Sequence, residues 1–422
     1  MVVHCILHLP NLLTVVAPAF YMNRKVIEAL DVFDYRDPSE PLRMADFSLD
    51  AQGGGQLRYL ESYLDQQAIP IDPVRCPLVP GIHEISPSPD YGVLSDVGPG
   101  IWARQFLTNT LSYDIAKSQI EWLLSASQHG AGALAFARNE IPNQDFVPLL
   151  RTSAMAGGII SKIAALDLRA KCQIDSDVEF ILESGTGLGG ARPKAVMLHE
   201  GRESIVKFPQ LGDLFDVPRV EFATMRLAHL AQINVPDIEL LELKDGAVFI
   251  AQRFDRTDSG TRIHAMTAQS LLYKSDKSDF SYGLIAESIH RLDERQTENG
   301  PELFRRMVFN IMVGNVDDHL RNQSIMVRGP ASMALAPAYD VLPHPEAYTR
   351  PQSINVGDLG AASTIPNALS QCHRFCLSIK DASSVIEEIR EVVLTWRSVF
   401  KDADVRAADI ALLASCFNVA EA

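Results

Sequence analysis

The sequence lacks several features that would place it elsewhere. No apolar run reaches the roughly 18 residues of a membrane-spanning helix. The best candidate, Ile6 to Met22, is interrupted by His8, Pro10, Asn11 and Pro18, and no basic residue precedes it, the first Lys or Arg being Arg24. It does not read as a signal segment. Cysteine is scarce and scattered: Cys5, Cys76, Cys172, Cys372, Cys376 and Cys416 form no repeated CxxC pair. That usage fits reduced thiols better than a disulfide framework or a zinc site, and predicts a cytoplasmic protein without membrane association. Positive charge is also in deficit, with 38 Lys+Arg against 53 Asp+Glu and a net charge of -15. The chain as a whole is repelled by phosphate backbones, so any nucleic-acid contact must come from a local patch or a partner. No internal repeat or low-complexity tract is present.

What remains is ordinary globular composition, 47% hydrophobic and 22% charged over 422 residues, enough for two or three cores and a cleft between lobes. Residues 1 to about 110 read as short strands and turns, with VFDY among DPSEP, AQGGGQ and PSPDYG. From Trp102 to Ala165 the spacing becomes helical, as in QFLTNTLSYDIAKSQIEWLLSASQ. Between about 178 and 256 the predicted order is strand (VEFILE), glycine cluster, strands AVMLHE and SIVKFP, helix VEFATMRLAHLAQI, then strands IELLEL and AVFIAQRF. Helices dominate from 263, broken by the polar loop GNVDDHLRN and the strand-like QSIMV. The division expected is 1–110, 111–256 and 257–422.

Chemistry enters with SGTGLGGARPK, residues 184 to 194, in which Gly185, Gly187 and Gly190 satisfy GxGxxG. A structural hairpin is the plain alternative. A dinucleotide fingerprint requires a helix after the glycines, whereas AVMLHE is strand-like, and the Walker pattern is absent. A glycine loop between two strands is the protein-kinase arrangement, in which backbone N–H groups close over ATP phosphates. Lys207, in SIVKFP on the next predicted strand, is then a phosphate ligand, and Glu221 on the following helix is its partner.

Asp317 and Asn322, in GNVDDHLRNQSIM, stand five residues apart, the Asp-to-Asn spacing of the kinase catalytic loop. The plain alternative is an acidic turn capping a helix. Asp340, in ALAPAYDVLP, follows the next strand, where a kinase carries its second metal-binding carboxylate.

These motifs resemble the HipA family of bacterial toxin kinases, from about residue 85 to the C-terminus. The resemblance lies in GGARPK (189–194), IVKFP (205–209), VEFATMRLA (220–228), NVPDIEL (234–240), AQRFDR (251–256), VDDHLRN (316–322) and AYDVLP (339–343), with SDVGPGIWARQFL (95–107) like the family's linker to its kinase core. It implies an α+β, protein-kinase-like two-lobed fold, with a β-rich N-lobe, a helical C-lobe and a small β-rich N-terminal subdomain. It also implies a serine/threonine kinase using ATP and Mg2+, the toxin of a toxin–antitoxin module. Asp317 would be the catalytic base, Asn322 and Asp340 the Mg2+ ligands and Lys207 the ATP phosphate ligand. Gly189, Gly190, Ala191, Arg192, Pro193 and Lys194 would lie over the phosphates, with Gln252 and Phe254 at the adenine and His319 and Tyr339 completing the nucleotide site. Asp318 is expected to be a nonessential neighbour.

Where family members often carry an autophosphorylated serine the aligned residue is Gly187, so Ser184 and Thr186 are the candidate substitutes, against an ordinary turn role. Gly100 and Ala103 depart from the linker pattern GPDxWGR, which is expected to bear on folding of the joint more than on catalysis. The resemblance further implies a HipB-like helix-turn-helix antitoxin, operator DNA bound only through that complex, and a protein target such as an aminoacyl-tRNA synthetase, with growth arrest as the result. Two alternatives stay open: a small-molecule kinase of the aminoglycoside or choline type, and a non-catalytic corepressor bound to the antitoxin. Cys372 and Cys376, in a predicted helix without a second ligand pair, are expected to be packed thiols.

Overall fold

The computed structural model describes residues 29–66, 68–85, 91–105, 119–124, 130–138, 151–167, 176–185, 187–273, 277–293, 295, 297–347 and 350–417. Alternating apolar residues in the first part build an antiparallel five-stranded sheet from β1 (Ala29–Asp34), β2 (Leu42–Leu49), β3 (Gly55–Tyr59), β4 (His83–Ile85) and β5 (Leu134–Ala137), in the order β4-β3-β2-β1-β5. Inward residues such as Val32, Ala45, Phe47 and Leu57 are buried on one face, as the period-two pattern requires. The sheet is completed by β5, which pairs with β1 from beyond the boundary expected at 110.

A second sheet follows, with β6 (Lys194–His199), β7 (Arg202–Lys207), β8 (Ile238–Leu243) and β9 (Gly246–Gln252) in the antiparallel order β6-β7-β9-β8. The Val217–Leu230 helix packs against it; Asp216 caps its N-terminus by accepting from Arg219 N at 3.3 Å, and Pro218 in the first turn needs no donor. One expectation fails here. VEFILE is not a strand but part of the Ser176–Gly185 helix, so the glycine cluster lies between a helix and β6, and the β6–β7 turn is made by Glu200 and Gly201 instead. A six-residue apolar run fits either period. Burial of Phe180, Ile181 and Ser184 shows the helical one.

The rest is helical, as expected: Tyr282–Leu292 packs on the small antiparallel sheet of β10 (His264–Thr267), β11 (Ser324–Gly329) and β12 (Ser332–Leu335) and on Asn299–Val313, which Ile379–Val393 covers in turn. Phe304 meets Phe375 edge-on at 5.4 Å, and Trp396 stacks on Phe417 at 3.9 Å. Cys372 is buried but Cys376 is exposed, so only the first fits the expected packed thiol. No helix among the described residues is long and apolar enough to cross a membrane.

The two lobes and the N-terminal sheet meet at a buried ionic knot. Arg253 holds Asp255 through two hydrogen bonds, at 2.9 and 2.7 Å, and donates to Gly130 O at 2.9 Å. Asp255 accepts from Gly132 N at 2.7 Å, while Arg256 reaches Gly130 O, Gly132 O and Glu203.

Truncating the fully buried Phe304 removes its ring from Phe375 and opens a cavity in the helical core. The Phe304→Ala variant is expected to lose about 3–5 kcal/mol of stability in chemical denaturation; a loss below about 1 kcal/mol contradicts this packing.

Candidate active site

β7 runs buried through the second sheet and delivers Lys207 at its end, beside Lys194 on β6 and Phe249 on β9. The lysine is buried, so its charge must be matched. Its Nζ donates to Glu221 Oε1 at 2.6 Å and to Asp340 Oδ1 at 2.7 Å. Glu221 is presented by the inner face of the Val217–Leu230 helix and is itself buried. Burial works against the ammonium form of Lys207, but Asp340 and Glu221 outweigh it and raise its pKa. The Lys207 charge in turn holds the Asp340 carboxyl well below the usual carboxylate range, against the effect of burial. Burial pushes Glu221 up, with Lys207 opposing.

Asp340 has φ +61°, the left-handed region that a non-glycine residue occupies only when its surroundings hold it there. Its side chain remains 46% exposed, so the carboxylate faces outward as well as towards Lys207. The residue before it, Tyr339, stacks on Phe254 at 6.0 Å and anchors its hydroxyl on Arg321 O and Ser324 Oγ, both at 2.7 Å. Burial raises the Tyr339 pKa. Phe254 and Tyr339 thus form one aromatic wall joining the end of the β9 connection to the Asp340 segment. Gln252 closes β9, its N–H on Asp237 O at 2.9 Å and its side-chain oxygen accepting from Arg202 at 3.0 Å.

The loop with Asp317 and Asn322 leaves the Asn299–Val313 helix at Gly314, whose φ of +69° ends the helix. A Cβ there would lie 2.8 Å from Ala347 Cβ and from Cys416 O, so glycine is required twice over. Asp317 is exposed, while Asn322 is buried and donates Nδ2 to Asp317 O at 3.4 Å, leaving its Oδ1 as acceptor. His319 Nδ1 is buried and makes no hydrogen bond to the described residues.

Asp318 is the residue that sequence reasoning undervalued. It is 2% exposed and accepts from Tyr282 Oη at 2.7 Å, Asn310 Nδ2 at 2.8 Å and Gln323 Nε2 at 2.9 Å. Burial raises its pKa, opposed by the Tyr282 and Gln323 hydrogen bonds. It is the floor on which the exposed Asp317 stands, and the polar loop around it gave no sign in the sequence of its burial.

In the glycine-rich segment Gly189, Gly190 and Ala191 are exposed, Pro193 is buried and Gly190 has φ +97°. Arg192 donates to Asp213 at 2.6 Å, and Lys194 Nζ to Gly189 O at 2.8 Å. Burial and the Lys207 charge push the Lys194 ammonium down to about 8. Ser184 does not present a modifiable hydroxyl: it is 1% exposed inside the Ser176–Gly185 helix and bonds back to Phe180 O at 2.7 Å. Thr186 lies outside the described residues.

The structure therefore brings Lys207, Glu221 and Asp340 into direct contact, joins Phe254 to Tyr339, and ties Asn322 to the Asp317 backbone. Among the described residues no cluster of three or more His, Cys, Asp or Glu side chains could hold a metal ion. The chemistry of two separate donors, the ionised and outward-facing carboxylate of Asp340 and the amide oxygen of Asn322, is of the kind that suits Mg2+ when substrate phosphates complete its shell.

Residues 186–396, half of the chain, match the HipA-like C-terminal domain family. The Sinorhizobium fredii protein Y4dM, named provisionally as a kinase, is 31% identical over 159 residues, 34% of this chain and 37% of its own length. A Haemophilus influenzae protein, also named provisionally as a kinase, is 31% identical over 146 residues, 30% of this chain and 42% of its own. The chain thus spans about two fifths of the length of these curated relatives. Among solved structures, the complex of Shewanella oneidensis MR-1 HipA, HipB and operator DNA contains a chain of similar fold, with TM-score 0.67 at 16% identity, over 92% of this chain and 95% of that one. The two-lobed, kinase-like α+β fold expected from the sequence is the fold the chain adopts.

Removing the Asp318 carboxylate leaves three buried donors without an acceptor. Asp318→Ala is expected to cost about 3 kcal/mol in chemical denaturation, whereas Asp317→Asn at the exposed neighbour should change stability by less than about 0.5 kcal/mol; equal effects contradict this division.

Proposed function

The chain belongs to the HipA family through its HipA-like C-terminal domain, and from that premise we propose that it is an ATP-dependent kinase acting on a serine or threonine hydroxyl of a protein. The observation that carries the reading is the Glu221–Lys207–Asp340 chain of ion pairs, which puts a charged lysine between a helix-borne glutamate and an outward-facing carboxylate. A non-catalytic scaffold has no need of a buried lysine shared by two acids.

In this reading the segment 189–194, with Gly189, Gly190 and Ala191 exposed, and Lys207 hold the phosphates, and the Phe254–Tyr339 wall takes the adenine side together with Gln252 and His319. Asn322 and Asp340 would hold Mg2+, which neutralises phosphate charge. Asp317 orients the incoming hydroxyl and receives its proton as that oxygen bonds to the γ-phosphorus. The bond from phosphorus to the β–γ bridging oxygen breaks, and ADP leaves. Positioning and electrostatics supply the rate, since phosphoryl transfer asks little covalent chemistry of the protein.

The partners proposed are a HipB-like helix-turn-helix antitoxin, supported by the HipA, HipB and operator DNA complex that shares the fold, and a protein target such as an aminoacyl-tRNA synthetase, whose phosphorylation would arrest growth. With a net charge of -15 the antitoxin should supply most of the DNA contact.

Purified protein incubated with γ-labelled ATP and a lysate is expected to label protein, and Asp317→Asn to lower transfer by about 10²-fold or more while ATP binding stays near wild type. Label in the metabolite fraction would favour a small-molecule substrate, and full activity in Asp317→Asn would overturn the base assignment.

Lys194, charged below about 8 and neutral above it, adds a pH dependence. ATP affinity should fall severalfold between about pH 7 and about pH 9 in wild type and stay flat over that range in Lys194→Met; a flat wild-type profile excludes Lys194 as a phosphate ligand.

A further inference from the structure

The short Val93–Val97 helix and the residues that follow it cross from one lobe to the other. In the helix, Asp96 Oδ2 accepts from Thr267 N and Ser270 Oγ, both at 2.8 Å, and Oδ1 from Thr267 Oγ1 at 2.9 Å. It thereby fixes the start of the Ala268–Leu271 helix. That helix is tied to the loop of Asn322 at two points: Gln269 Oε1 accepts from Arg321 Nε at 2.8 Å, and Ala268 N donates to Gln323 O at 2.7 Å.

Four residues further on, the same segment lies against the glycine-rich segment. Gly100 N and Trp102 N donate to Leu188 O and Gly190 O, both at 3.4 Å. A Cβ on Gly100 would sit 2.7 Å from Gly190 N and O and 2.8 Å from Gly189 C. Those are backbone atoms, which cannot swing aside as the end of a side chain can. Trp102 is buried with Phe180, Ala195, Met197 and Phe208, and a Cβ on Gly185 would lie 3.5 Å from its ring. Arg104 folds back on Pro99 O at 2.9 Å and stiffens the turn.

We propose that residues 93–104 form a strap that sets the distance between the glycine-rich segment and the loop of Asp317 and Asn322, with Asp96 and Gly100 as positioning residues at its two ends. The proposal rests on the kinase reading above. The geometry gives each end a different effect. Gly100 allows the strap to touch the backbone of residues 189 and 190, so a side chain there displaces the segment that covers the phosphates. Asp96 fixes the strap to the helix that supports the Asn322 loop, so its loss displaces the groups that act on the incoming hydroxyl. Misplacement on the scale of an ångström is enough to cost an enzyme severalfold to a hundredfold in rate.

The test uses the full chain and three variants: Gly100→Ala, Gly98→Ala and Asp96→Asn. Gly98 is the control in the same strap, because its Cβ would meet only ordinary contacts at 3.4 Å. Gly100→Ala is expected to raise the Kd of MgATP about tenfold in a protein that still unfolds cooperatively at a lowered melting temperature, Gly98→Ala to leave the Kd unchanged, and Asp96→Asn to lower kcat about tenfold at near-constant nucleotide Kd. A folded Gly100→Ala protein with wild-type affinity overturns the strap. If Gly100→Ala does not fold, Asp96→Asn decides, and wild-type kcat in that variant overturns it. Hydrogen exchange at the Leu188 amide, bonded to Gly185 O at 3.3 Å, separates the strap from the function. Should wild-type protein bind no nucleotide, the kinase reading falls; the strap falls with it only if Gly100→Ala exchanges Leu188 no faster than Gly98→Ala.

Discussion

Lys207 is the point on which the rest of the site depends. A buried ammonium is costly unless matched, and here two carboxylates from different parts of the chain match it: Glu221 from the helix beside the second sheet, Asp340 from the segment after β12. The pairing has a direction. Glu221 is enclosed and, among the described residues, bonds only the lysine, whereas Asp340 keeps an exposed edge. One contact therefore joins the lobes and also leaves an ionised carboxylate facing the cleft. The left-handed backbone at Asp340 belongs to the same constraint, since a relaxed conformation would carry the side chain away from Lys207.

A second tier supports the first. Asp318 gathers Tyr282, Asn310 and Gln323, and Arg306 reaches Glu302, Gln323 and Ala336 O beside it. Polar groups this deep are tolerated because each has found a partner. The result is a rigid floor from which the Asp317 side chain projects into solvent, its backbone carbonyl held by Asn322 Nδ2.

Much of this was legible in sequence because it depends on local spacing. The five-residue step from Asp317 to Asn322, Lys207 at the end of an apolar strand and Glu221 on an amphipathic helix are all patterns within one or two elements. The features missed depend on distant partners or on ambiguous periods. VEFILE satisfies both a strand and a helix, and only burial of Phe180 and Ile181 decides between them. The pairing of β5 with β1 spans about a hundred residues, so nothing near 110 marks where the first sheet ends. Asp318 looks like a surface acid beside Asp317 until Tyr282 and Asn310 are brought to it by tertiary packing. Ser184 reads as a turn residue until its helix is seen.

The ionic knot at Arg253, Asp255 and Arg256 bears on modularity. The stretch that matches the HipA-like C-terminal domain begins at residue 186, yet these side chains take their acceptors and donor from Gly130 and Gly132, outside it. Cut at the family boundary, the piece would carry two guanidinium groups and a carboxylate stripped of those backbone partners. What looks in sequence like a portable catalytic module is, in its chemistry of burial, an incomplete object, and the preceding β-rich region is part of what makes it whole.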